Sequence, residues 1–151
     1  MEIPLRMKTT IAWSAASAGA IGIPGAFAAH FDIPVLVGIW SNLLVRLAIQ
    51  AGRDIEKGVA AKIVAGVLLA IGGFAGGVKL MTTALAYTGV GTVPAIIANS
   101  GANATLTYFF GRSVAKVFLS QDHRDSAGAI IAAIVAIMTG GTNGGPPSTD
   151  A

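Results

Sequence analysis

Asn99-Ser100-Gly101-Ala102-Asn103-Ala104-Thr105-Leu106-Thr107-Tyr108-Phe109-Phe110-Gly111 is the stretch on which the fold turns. None of its side chains is charged, and the uncharged run that holds it begins at Leu80 and ends only at Arg112. Asn99, Asn103, Thr107 and Gly111 recur every four residues, so on a helix they form one narrow stripe. Amides and hydroxyls within an apolar span need hydrogen-bond partners, which in membrane bundles come from neighbouring helices. The stripe therefore predicts a helix in contact with other helices. Its polar groups either hold those helices together, the reading we take, or line a water-filled path for a solute.

Working outward, the chain divides into apolar stretches joined by short polar ones. Val93-Pro94 restarts the helix that carries the stripe, with Thr92 as N-cap candidate and Pro94 in the first turn, and it runs to about Leu119. Before it, Tyr87-Thr88-Gly89-Val90-Gly91 is a break between helices. Gly89-Val90-Gly91 lacks the spacing, the strand and the lysine of a phosphate-binding loop. The preceding stretch, Ile63 to Val78, holds Gly72, Gly73, Gly76 and Gly77. Two small-x-x-x-small pairs on one face would let a second backbone approach closely, and simple helix termination is the equal alternative.

Near the start, Thr9 to Ala29 runs without a charge, the length a helix needs to cross about 30 Å of hydrocarbon. It is longer than the apolar core of a signal peptide. Pro24 between Gly22 and Gly25 predicts a kinked first hairpin. Asp32 and Pro34 form a helix-start turn, with Asp32 as cap and Pro34 in the first turn. The helix that follows, Ile33 to about Ala51, is amphipathic. Leu36, Ile39, Trp40, Leu43 and Leu47 fall on one side, and Asn42, Arg46 and Gln50 on the other. A last stretch, Ala127 to Met138, is barely long enough to cross, and the Gly, Pro and Ser tail from Gly140 onward reads as flexible. One helical membrane domain, residues 1–139, followed by a tail, residues 140–151, is the expected organisation.

Composition supports this class. Apolar residues make up 54% and charged residues only 11% of the 151, against about 25% charged in soluble domains. Seventeen charged side chains cannot cover a globule of this size, so its surface must meet lipid or a partner. The formal charge of +3 comes without the clustered bases and interleaved aromatics of a nucleic-acid binder. If all five stretches cross, Arg6, Lys8, Arg53, Lys57, Lys62, Arg112, Lys116 and Arg124 fall on one side and Lys79 alone on the other. That bias puts the N-terminus in the cytoplasm.

Catalytic chemistry has little to stand on. There is no cysteine, so thiolate nucleophiles and thiolate zinc sites are excluded. His30 with Asp32, and His123 with Asp122 and Asp125, lack the further ligands a metal needs, and capping and solvation explain them. We expect no enzyme, no cofactor and no metal.

Two stretches carry a family likeness. Asp32-Ile33-Pro34-Val35-Leu36-Val37-Gly38-Ile39-Trp40 is followed by Arg46-Leu47-Ala48-Ile49-Gln50-Ala51-Gly52, and Gly89-Val90-Gly91-Thr92 by the Asn99, Asn103, Ala104, Thr107, Gly111 and Arg112 pattern. Together, over about Gly19 to Phe118, they resemble the GTPase-associated bacterial membrane family numbered 697 among the domains of unknown function. The chain departs from that pattern at Trp40 and at Ala51-Gly52. The resemblance implies a bacterial inner-membrane protein, no established catalytic residues and a GTPase as partner. The expectation is a membrane helical bundle of four to five helices with glycine-rich packing faces. It would serve as a structural, scaffolding or regulatory subunit of a homo-oligomer or larger membrane complex; the alternative is an oligomeric channel or small-solute transporter using the Asn99, Asn103 and Thr107 face.

Overall fold

A computed structural model describes the backbone of residues 2–25, 33–87, 92–120 and 126–140, and the side chains of 2–21, 34–72, 96–120 and 126–140. Five helices follow in order: α1 Leu5–Gly25, α2 Ile33–Gln50, α3 Lys57–Tyr87, α4 Thr92–Leu119 and α5 Ala127–Met138. Among the described residues there is no strand. The all-helical expectation and most helix positions hold.

Three boundaries differ from the sequence reading. α3 begins at Lys57, inside what reads as a solvated connection, and continues through Lys79 to Tyr87. Charged residues at a helix start keep their side chains in water while the backbone is already helical, so charge did not mark the boundary. α1 runs on to Gly25, which leaves Pro24 in its last turn. Thr92 is the first helical residue of α4. Asp32, the cap proposed for α2, lies outside the described residues, whereas Pro34 is the second residue of α2, where its missing N–H costs nothing.

α2 ends in a Schellman arrangement. Gly52 adopts φ +74, the Arg53 N–H donates to the Ala48 carbonyl at 2.9 Å and the Gly52 N–H to the Ile49 carbonyl at 3.0 Å. The turn delivers Arg53 to the far end of α4, where its guanidinium donates to the Ser120 carbonyl at 3.4 Å and lies 5.6 Å from the Phe118 ring centre. α5 is capped by Ser126, whose hydroxyl accepts from the Ala129 N–H at 3.2 Å, and it buries Ile130, Ala133 and Ile134.

α4 is the hub. It packs on α1 over the longest interface and also touches α2, α3 and α5. The core is mostly aliphatic with three aromatic rings: Met7 and Ile11 from α1, Trp40, Leu43 and Leu47 from α2, Ile63, Val64 and Val67 from α3, and Phe110, Val114 and Phe118 from α4.

Among the described residues, no helix is long and apolar enough to cross a membrane. α5, at 12 residues, spans about 18 Å, well short of a hydrocarbon core of about 30 Å.

Candidate functional site

The stripe of α4 faces inward. Asn99, Asn103 and Thr107 are fully buried, and so is Ser113 nearly so, in a core otherwise apolar. The Trp40 indole N–H donates to the Thr107 hydroxyl at 2.8 Å. The Trp40 ring stacks on Phe110 with centres 4.2 Å apart and planes 10° from parallel. Trp40, Thr107 and Phe110 thus latch α2 to α4 by one buried hydrogen bond and one ring stack, the hydrogen bond serving an N–H that would otherwise be buried unpaired. Asn99 and Asn103 are likewise engaged in polar contacts.

Asn42, Arg46 and Gln50, the polar side of α2, lie away from this stripe. Asn42 and Arg46 are exposed on the edge of a groove between α1 and α2, with Thr9, Thr10, Trp13, Ser14 and Ser17 opposite. The Gln50 amide donates to the Thr10 hydroxyl of α1 at 2.9 Å, while its Oε1 is buried without a partner. The polar side of α2 is real, but it turns toward α1 and the surface. Trp40 was the missed partner, because an indole reads as apolar in a hydrophobic pattern although it carries one donor.

Close helix approach is seen at other glycines. A Cβ on Gly111 would lie 2.9 Å from Ile11 Cγ1 and 3.2 Å from Leu43 Cδ2, and one on Gly19 would lie 3.3 Å from the Ala104 Cβ. The tight seam is therefore α1 on α4. At Gly72 no described atom lies within 4 Å of a built Cβ; Gly73, Gly76 and Gly77 lie outside the described side chains. Among the described glycines of α3, a Cβ on Gly66 would lie 2.5 Å from Ile131 Cδ1 of α5. The signal that could have found the α1 seam is its own run of small residues, Ala15, Ala18 and Gly19.

Several large apolar side chains lie on the outside. Leu69 is 83% exposed, Trp13 72% and Ile97 67%, and Leu5, Ile49 and Phe109 are also exposed. Charge gathers at one end of the bundle: Arg6 and Lys8 at the start of α1, Arg46 and Arg53 at the end of α2, Lys57 and Lys62 at the start of α3, Arg112 and Lys116 at the end of α4. Glu2, Asp54 and Glu56 are the acids there. Lys8 pairs with Glu2 at 2.9 Å, and this hydrogen bond, then the lysine charge, holds the Glu2 carboxyl below its ordinary pKa.

Among the described residues no group of three or more His, Cys, Asp or Glu side chains gathers. His30, Asp32, Asp122, His123 and Asp125 lie outside them. No protein-family model, no curated protein and no solved structure matches the chain.

Proposed function

We propose that this chain is a non-catalytic, membrane-embedded helical scaffold, a subunit whose apolar flank meets lipid and the helices of other subunits. One observation carries the reading: Asn99, Asn103 and Thr107 are buried within the bundle while Leu69, Trp13 and Ile97 lie on its outside. In a bilayer such an apolar flank is solvated and inward polar groups hold helices together. Those inward polar positions also lower the mean hydropathy of a helix, since α4 spends positions on Asn99, Ser100, Asn103 and Thr107 that a lone crossing helix would give to leucine. Embedding is then a property of the bundle.

The basic end faces the cytoplasm on this reading, because cytoplasmic segments hold the excess of Lys and Arg. A bacterial inner membrane and a GTPase partner are what the sequence resemblance adds. Glue is favoured over a solute path because the Thr107 hydroxyl is committed to Trp40.

Two measurements test the reading. Membranes containing the full chain are washed at alkaline pH, which strips peripheral proteins; retention in the pellet is expected, and full release ends the embedded reading. Gentle detergent extraction should then bring down stoichiometric partners or a homo-oligomer, and a solitary monomer would end the subunit reading.

A further inference from the structure

At the basic end, α1 and α4 diverge around a groove of about 480 Å³. Its floor is Ile3, Ile11 and Ala12, and its rim is Lys8 from α1 with Tyr108, Arg112 and Lys116 from α4. Arg112 and Lys116 are one helical turn apart on one face, and like charges at that spacing repel. Arg112 lies 5.7 Å from the centre of the Tyr108 ring. Among the described residues the one ion pair is Lys8 with Glu2, so the only acid on the rim is taken. Three cations over an apolar floor match an amphiphile with an anionic head. Phe109, next to Tyr108 on α4 and one turn before Arg112, is exposed and adds apolar surface.

We propose that this groove binds the phosphate headgroup of an anionic membrane lipid, with Lys8, Arg112 and Lys116 around the phosphate and the acyl chains leaving along Phe109. Basic pockets between helices at the cytoplasmic face are suited to such headgroups. An arriving phosphate relieves the repulsion between Arg112 and Lys116 and displaces the Glu2 carboxylate from Lys8. That exchange is easy, because both partners are solvent-exposed and such pairs are weak.

The proposal rests on the embedded reading, yet the two fail separately, because binding is measured on the purified full chain in non-ionic detergent. Short-chain phosphatidylglycerol, short-chain phosphatidylcholine and inorganic phosphate are titrated in turn. Phosphatidylglycerol is expected to bind most tightly. Arg112→Gln and Lys116→Gln should each weaken it about tenfold, the worth of one charge-assisted bond. Glu2→Gln should tighten it a fewfold by freeing Lys8. Circular dichroism melting confirms that the variants, all at solvent-accessible positions, keep the fold. Equal binding of phosphatidylcholine, or unchanged affinity in both Gln variants, overturns the site. Inorganic phosphate binding as tightly as the lipid overturns the lipid assignment.

Discussion

Thr107 is the residue at which the interior polarity of this bundle can be measured. Thr107→Val keeps the side-chain shape and removes the acceptor for the Trp40 N–H, leaving that donor buried and unpaired. A loss of about 1–3 kcal/mol is expected, read by denaturant unfolding in detergent micelles. The double variant with Trp40→Phe should lose less than the sum of the singles, since the orphaned donor is then gone; strict additivity would show that the bond contributes nothing. Glycines offer the second contrast. Gly111→Ala pushes a methyl into Ile11 and Leu43, both fully buried, and should cost about 1–3 kcal/mol. Gly72→Ala meets open space in a helix and should stabilise by about 0.5–1 kcal/mol. At the surface, Glu2 titrates below the ordinary carboxylate range, so its bond to Lys8 is present at neutral pH and is lost as pH falls through that lowered value. The Lys8 side-chain resonances should shift in that acid window and hold still in Glu2→Gln, with no measurable change in melting temperature, since the pair is exposed.

The helices were legible in proportion to how well charge and apolar runs mark their ends. α5 matches the uncharged run Ala127 to Met138 because Ser126 caps it and its buried positions are aliphatic. Ser126→Ala should lower its stability by about 1 kcal/mol, seen as faster amide exchange at Ala129 and Ile130 than in the rest of the bundle. α3 was read too short because Lys57 and Lys62 look like a loop when only charge is weighed, although nothing between them forbids a helix. The inward stripe of α4 was readable from its spacing of four. Its partner on α2 was not, because periodicity gives the face of a helix and leaves open which neighbour meets it. For the same reason the close approaches at Gly19 and Gly111 were not read from the sequence. A small residue permits close approach, and only the partner helix decides whether approach happens.

At the scale of the molecule, the exposed apolar flank and the basic end make separate predictions. Trp13 is exposed and Trp40 is buried, so lipids brominated along the acyl chain should quench part of the fluorescence of reconstituted protein. In Trp13→Phe, which leaves Trp40 as the one indole, that quenching should nearly vanish. Equal quenching in both would mean that the Trp13 flank does not meet acyl chains. The hub position of α4 bears on how the chain is made. Gly19 of α1 meets Ala104 of α4, so the longest interface joins helices far apart in sequence. During synthesis α1, α2 and α3 all leave the ribosome before their shared partner exists. Met7, Ile11 and Trp40 have no α4 to close on until the chain has grown past Phe110. A nascent chain stalled in α3 is therefore a set of helices without a keystone, exposed to misassembly and to whatever cellular machinery holds unfinished chains until the fourth helix arrives.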